Sequence, residues 1–247
     1  MKRFHLAAAA LALACTPSAA FACSAPPSEQ SNLGLVADAE TIVMAQVVGG
    51  TAATGDPDGW SVVVRPLEAV KGDMPQGDIT LRGLGLATVR GGTELSNPFE
   101  FQQAHPNAYA GACNRYLFPL GTTALFFLRI DQEGQWAAAA DGAFTRWAED
   151  VPDAQAPWVQ LVRLYTIAAG LPEADRAPFL EDEREALMAR TGEPVAQLMA
   201  DDIYRQVAGP REPEGRGFED AFRDPADESA VEAVLRAMRQ SALEAGN

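Results

Sequence analysis

The chain of 247 residues has few of the side chains that most often carry chemistry: three cysteines, two histidines and two lysines. It also has no G-x-S-x-G, H-E-x-x-H or C-x-x-C motif and no phosphate-binding glycine loop. His105 precedes Pro106 in a predicted loop and is expected at the surface rather than as a ligand or base. The sequence therefore predicts no catalytic residue, no metal site and no cofactor, which excludes the common enzyme classes.

The chain also lacks a long apolar run, and its longest early one, residues 6–14, is too short to span a bilayer. Lys2 and Arg3 precede that run, and residues 20–22 (Ala-Phe-Ala) form the small-x-small pattern at which signal peptidases cut. We therefore predict a signal peptide over residues 1–22, cleaved before Cys23, and a periplasmic or secreted protein. A lipoprotein signal is the alternative, but it requires a Leu-like residue where Ala20 stands.

Removal of the signal peptide takes Cys15 with it and leaves two cysteines, Cys23 and Cys113. In an exported chain two cysteines favour a disulfide. Closing a loop of this length stabilises the fold by about 4–5 kcal/mol in the chain-entropy model. The alternative, a reactive Cys113 thiol, would need a nearby base, and His105 is the only histidine outside the signal peptide.

Basic residues are scarce relative to acidic ones. The whole chain has 19 Lys and Arg against 34 Asp and Glu. Lys2 and Arg3 belong to the signal peptide, so the mature chain has 17 against 34, a net charge of −17. Such a charge repels nucleic acid and anionic lipid, which excludes both as expected partners.

After the signal peptide, the first half of the chain has the alternation and turn residues typical of strands. Five strands are predicted. Turns join most of them, and a long loop over residues 85–112 lies between the third and the fourth. Their predicted bounds are 41–48, 60–65, 78–84, 122–130 and 136–140. Short strands in this number favour a small closed or nearly closed barrel of the OB type.

Past residue 150 the pattern changes to apolar residues at helical spacing. Four helices are predicted, at residues 157–169, 177–190, 194–207 and 227–243, with a flexible link over 209–217. The predicted fold is therefore a mainly β, OB-fold-like five-stranded barrel over residues 23–147, followed by an acidic α-helical region over 148–247, and is α+β overall. The apolar stripes are expected to fold onto the barrel, although a groove for a partner is an alternative.

Several segments, in order, resemble the tissue inhibitors of metalloproteinases. The opening segments 23–27 and 37–48 are similar to the family's N-terminal cysteine, its proline-containing stretch and its first strand. The remaining segments that carry the resemblance are 60–65, Lys71-Gly72, 78–84, Cys113 and 125–141. The general form of that family's N-terminal domain is the netrin-like OB-fold module, and the resemblance covers about residues 23–147. It implies that Cys113 is the disulfide partner of Cys23.

The resemblance also implies a mechanism of inhibition. In that family the α-amine and the carbonyl of the N-terminal cysteine chelate the zinc of the target protease, and the next side chain enters its specificity pocket. Cys23 and Ser24 match these two positions, whereas Ala25 replaces the family's second cysteine. The predicted function is thus an exported, non-enzymatic binding or inhibitory module whose partner is another exported protein, such as a zinc metalloprotease. The alternative is a periplasmic or envelope structural module that binds a protein or ligand and has no inhibitory activity.

Overall fold

The computed structural model describes residues 30–54, 56, 59–87, 115–140 and 145–208. Several predictions fall outside these residues: the signal peptide, the Cys23–Cys113 disulfide, the Ser24 contact and His105. The predicted link over 209–217 and the predicted helix over 227–243 lie outside them as well.

The described chain has a mainly antiparallel sheet and four helices, and the predicted α+β class is confirmed. The strands are β1 Thr41–Gly50, β2 Ser61–Lys71, β3 Ile79–Arg82, β4 Gly85–Leu86, β5 Leu117–Phe118, β6 Thr123–Ile130, β7 Trp136–Ala138 and β8 Ala148–Asp150. The helices are α1 Asn32–Asp38, α2 Pro157–Gly170, α3 Glu173–Met188 and α4 Pro194–Val207.

Six strands form one sheet in the order β3-β2-β1-β6-β7, and β8 pairs with β6 on the same side as β7. β7 pairs with the second half of β6 and β8 with its first half, so the two short strands lie one after the other along β6. β4 and β5 form a separate parallel pair. The edge strands β3 and β7 contact each other. No ladder hydrogen bonds join them in the described residues, so barrel closure is not detected there.

Both faces of the sheet are buried, which explains the nearly continuous apolar sequence of β6. Alternate residues of a strand point to opposite faces. Phe126 and Leu128 therefore join Val43 in the core on one face, while Leu125 and Phe127 join the core on the other. All of these side chains are fully buried. Each contributes about 1.5–3 kcal/mol of transfer free energy if it is fully exposed on unfolding.

The helices cover the second face of the sheet. α2 begins with Pro157 in its first turn, where a missing amide hydrogen costs nothing. Its residues Trp158, Leu161, Val162 and Tyr165 are fully buried in the same core as Leu125. α3 and α4 pack on each other and join this core through Leu180 and Ile203, among others. None of the helices in the described part combines the length and apolar character that crossing a membrane requires.

Two features of the strands differ from the sequence prediction. The second strand was expected to stop before Pro66, but β2 continues through Pro66 to Lys71. Proline cannot donate to a ladder and is tolerated at bulges, and Pro66 pairs with Ala45 beside a register shift. The sequence does not predict β4, β5 and β8, because two or three residues of strand leave no periodic pattern. It does not predict α1 either, because seven residues are only about two helical turns.

The predicted boundary after residue 147 falls one residue before β8, which pairs with β6. The core that contains Leu125 of the sheet also contains Trp158 and Ile203 of the helices. The change of pattern near residue 150 predicts that residues 23–147 fold alone, but because of these contacts across the boundary we expect the sheet and the helices to unfold together.

Candidate functional site

The residues predicted to act on a partner, Cys23 and Ser24, lie outside the described residues, as does Cys113. The described chain begins at Gln30, and α1 follows it directly. The candidate site can therefore be built from the residues that hold α1, because they determine where the N-terminal segment leaves the fold.

α1 has a local start signal but is too short to be stable alone. Ser31 is its N-cap, and the Ser31 Oγ accepts a hydrogen bond from the Gly34 amide at 3.0 Å. Leu35 and Val36 are buried against the core. A helix of seven residues in isolation does not recover the cost of its first turn. Tertiary contacts must therefore stabilise α1.

Lys71 holds the C-terminal end of α1. Its Nζ donates to the carbonyl oxygens of Val36, Ala37 and Ala39 at 2.7, 3.1 and 2.6 Å. These are among the carbonyls that the end of a helix leaves without an intrahelical partner, and a cation there also complements the helix dipole. Burial lowers the pKa of Lys71, and the charge of Asp38 opposes that shift.

Gly72 is required beside Lys71 by the close approach of the chain. Its φ is +76°, in the region that favours glycine. A Cβ at this position would lie 2.7 Å from the Glu40 carbonyl oxygen, a backbone atom. The Lys71-Gly72 pair, which the sequence analysis connected only with a family resemblance, thus packs the end of β2 against the junction of α1 and β1.

Asp202 of α4 holds the N-terminal end of α1. The Asn32 Nδ2 donates to both carboxylate oxygens of Asp202, at 3.2 Å each. One turn further along α4, the Gln206 Oε1 accepts a hydrogen bond from the Leu33 amide at 3.1 Å. That amide is one of the donors that the first turn of a helix leaves unpaired.

The Asp202 carboxylate is itself fixed by buried donors. Asp202 is 1% exposed. It accepts hydrogen bonds from the Tyr165 Oη at 2.5 Å and from the Arg205 Nη2 at 2.8 Å. Burial and then the charge and hydrogen bond of Asp202 raise the pKa of Tyr165 well above its ordinary value. Tyr165 is therefore a neutral hydroxyl donor to the Asp202 side chain at neutral pH.

A second ion pair, between Arg146 and Glu149, lies close to the pair formed by Asp202 and Arg205. The Arg146 Nε donates to the Glu149 Oε2 at 2.7 Å, and the Glu149 side chain is completely buried. The Arg146 Cζ stacks 3.8 Å from the centroid of the Trp158 ring, and its Nη1 donates to the Asn32 Oδ1 at 3.4 Å. We call the whole group the α1 seat: Asn32, Lys71, Arg146, Glu149, Tyr165, Asp202 and Arg205. Its buried part pairs two carboxylates with two guanidinium groups, as buried charges require.

Arg115 is the first described residue after residue 87, and an ion pair fixes its side chain. Its Nη2 lies 2.7 Å from the Asp150 Oδ1, and both side chains are 1% exposed. The guanidinium also stacks 4.4 Å from the centroid of the Phe118 ring.

The chemistry that the α1 seat supports is positioning rather than catalysis. Tyr165, Glu149 and Asp202 are almost completely inaccessible, so no substrate reaches them in this conformation. Within the described ranges, no group of three or more His, Cys, Asp and Glu side chains is placed to hold a metal ion.

The sequence patterns do not predict the α1 seat: they indicate apolar stripes on α2 and α4 and assign no role to Tyr165 or Asp202. One signal was present: Asp202 lies between Met199 and Ile203 on the apolar face of α4, and all three are buried. A carboxylate on such a face is almost never fully buried without a partner. The identity of that partner, 170 residues away at Asn32, had no local signal.

Comparison of the chain with protein-family models, with curated proteins and with solved structures found no match.

Proposed function

We propose that the protein is an exported, non-enzymatic binding module of the netrin-like type that inhibits a zinc metalloprotease through its N-terminal residue, Cys23. The free α-amine and carbonyl of Cys23 occupy the open zinc position, and the Ser24 side chain enters the pocket beyond it. An α-amine has a reference pKa near 8, so a neutral fraction able to bind zinc exists at pH 7. Its binding displaces the water that the zinc activates.

The observation that carries the proposal is the double attachment of α1. Lys71 holds one end through three carbonyls, and Asp202 holds the other through Asn32. Cys23 lies nine residues before Asn32, the first residue of α1, and so within roughly 30 Å of this attached helix. A short segment starting from a rigid helix loses less conformational entropy on binding than one starting from a mobile terminus.

The strand order also supports a netrin-like barrel of the OB type. β1 lies at the centre and pairs with both β2 and β6, while β3 continues from β2 on the outside. The opposite edge strand, β7, returns to contact β3. A five-stranded, partly open barrel has its edge strands in this relation.

The proposed disulfide is compatible with the described anchors. Asn32 contacts Arg146, and Arg115 pairs with Asp150. Asn32 and Arg115 therefore both contact the segment of residues 146–150, which spans about 13 Å. The nine-residue step from Cys23 to Asn32 reaches up to about 30 Å. This reach leaves room for the short Cα separation that a disulfide needs.

The proposal is tested by adding one alanine before Cys23 in the mature protein. The added residue moves the amine by about 3.8 Å along the chain and converts the Cys23 nitrogen into a non-basic amide. The same alanine added at the C-terminus of the protein is the matched control. Inhibition of a panel of exported zinc metalloproteases is measured together with the melting temperature of each form.

We expect the native and C-terminally extended forms to inhibit at least one protease, and the N-terminally extended form to lose inhibition by orders of magnitude at an unchanged melting temperature. Equal inhibition by both extended forms would refute chelation by Cys23. No inhibition of any protease by the native form would leave a binding module without inhibitory activity. A mass spectrum showing a lipidated Cys23 would also contradict the proposal, because acylation removes the same ligand.

A further inference from the structure

β8 carries two consecutive acidic residues into the interior of the protein. Glu149 is completely buried, and Asp150 is 1% exposed. Because alternate residues of a strand point to opposite faces, the two carboxylates enter different cores. Glu149 lies opposite Leu125, on the face that the helices cover, and Asp150 lies opposite Ala124, on the other face. A strand of three residues thus has a buried charge on each face.

The partner of Asp150 comes from a distant part of the chain. The Arg115 Nη2 lies 2.7 Å from the Asp150 Oδ1, and the Arg115 Nη1 donates to the carbonyl oxygen of Ala148 at 3.4 Å. The guanidinium of Arg115 stacks on the ring of Phe118, which belongs to β5. One arginine outside β8 therefore contacts the first and the last residue of that strand.

The partner of Glu149 is held by two helices. Arg146 lies two residues before β8, and its Nε donates to Glu149. The guanidinium of Arg146 stacks on Trp158 of α2, and its Nη1 donates to the Oδ1 of Asn32 in α1. This second ion pair therefore connects β8 to the helical layer.

The backbone of β8 determines its register only weakly. Three residue pairs join β8 to β6, and the ladder uses amide and carbonyl groups that almost every residue has. The largest apolar anchor of this segment is Trp147, which packs on Phe118 and Phe126. A shift of one residue would turn every side chain to the opposite face. A shift of two residues would keep the faces but move Asp150 about 7 Å away from Arg115.

We propose that the two ion pairs fix the register of β8 on β6 and, through it, the place where α2 begins against the sheet. A buried carboxylate is costly unless its partner is in place, so only the native register satisfies both charges. Residues 151–156 join β8 to α2, and Val151 is buried in the same core as Trp158. A shift of β8 would therefore displace the start of α2 as well. This role is independent of the proposed inhibition.

The experiment replaces each ion pair by two apolar side chains. The first double variant is Arg115→Met with Asp150→Leu, and the second is Arg146→Met with Glu149→Leu. Each replacement keeps the total side-chain volume similar and leaves no lone buried charge. The matched control is Arg65→Met with Asp78→Leu, because this Arg–Asp pair also joins neighbouring strands but is substantially exposed.

NMR of the full mature chain reports the register directly. Ala124 lies opposite Asp150 and Phe126 opposite Ala148, in the closely spaced pairs between ladder hydrogen bonds. The α-protons of these pairs should give strong nuclear Overhauser contacts in the wild type and in the control. We expect each double variant to show a second set of signals for residues 148–151, in which Phe126 faces a residue other than 148.

Hydrogen exchange of the same proteins is the second measurement. The Val151 amide donates to the Thr123 carbonyl beside β8, whereas the Ala139 amide donates to the Phe127 carbonyl further along β6. We expect Val151 to exchange at least 10-fold faster relative to Ala139 in the double variants than in the control. The ratio separates a change at β8 from a general loss of stability.

One set of signals with the native contacts, together with an unchanged exchange ratio in both double variants, would overturn the proposal. Trp147 and the ladder would then be sufficient to fix the register. If a double variant does not fold, Asp150→Asn or Glu149→Gln replaces it and is judged by the same two measurements, because each keeps the shape of the side chain and removes its charge.

Discussion

Lys71→Met tests whether one lysine attaches α1 to the sheet. Methionine keeps most of the apolar stem and removes the ammonium group, so the three carbonyls of Val36, Ala37 and Ala39 lose their donor together. The mature chain offers no other lysine to replace it, since the only other one, Lys2, lies in the predicted signal peptide.

The magnitude follows from the bonds that are lost. A hydrogen bond to a charged group contributes about 1.5–3 kcal/mol, and a buried acceptor left without a donor costs about 1–3 kcal/mol. The lost attraction to the helix end adds about 0.3–1 kcal/mol. Burial lowers the pKa of Lys71, which indicates that removing the ammonium also relieves a desolvation cost. We therefore expect a net loss of about 2–4 kcal/mol, or roughly 5–12 °C in melting temperature for a protein of this size.

The assay is urea unfolding at pH 7, followed by the fluorescence of the four tryptophans. Arg65→Met is the matched control, because it removes a cation from the same strand, β2, where the partner Asp78 and Arg65 itself are both substantially exposed. Exposed pairs contribute little, so this control should unfold close to the wild type. If Lys71→Met is as stable as Arg65→Met, the three carbonyl bonds do not stabilise the fold and the attachment of α1 has been misassigned.

Three further predictions concern pH, covalent state and folding units. The pKa of Tyr165 is raised in the native state, so above pH 10 the unfolded state loses the phenolic proton while the native state keeps it. The free energy of unfolding should therefore fall as the pH rises above 10. It should fall less steeply in Tyr165→Phe, which has no phenolic proton. Absorbance at 295 nm checks this, because one phenolate should appear only with unfolding. Denatured, non-reduced mature protein should show no free thiol, since Cys23 and Cys113 are predicted to be bonded; two thiols per chain would exclude the bond. A fragment of residues 23–208 should unfold in a sharp thermal transition, measured by circular dichroism, whereas a fragment of residues 23–147 should not. Equally cooperative unfolding of the shorter fragment would contradict a core shared by the sheet and the helices.

The buried charges of the α1 seat are better understood as a device for alignment than as a source of stability. Replacing a buried ion pair by apolar groups is often neutral or stabilising, whereas removing one partner is costly. Arg146, Glu149, Asp202 and Arg205 therefore need each other to hold one geometry. Apolar side chains would fill the same space with less directional preference, and α1 would then be fixed less well.

The sequence by itself determined the elements whose signals are local. α4 begins and ends at the predicted residues, 194 and 207, and α2 extends only one residue past its predicted end. Both have proline in the first turn and an apolar stripe at helical spacing, and these signals need no partner. The sequence predicts β6 because seven of its eight residues are β-branched, aromatic or aliphatic, as in a strand that is buried on both faces.

Only the tertiary structure decided how the start of the chain is held. α1 has seven residues and too few local interactions to form alone. Pro66 lies inside a strand, beside a register shift where a missing amide hydrogen is tolerated. The partner of Asp202 was Asn32, 170 residues away, and the acceptors of Lys71 were backbone carbonyls, which are the same in every sequence. Periodicity reports which face of an element is buried, and it carries no information about which distant group will complete a buried charge.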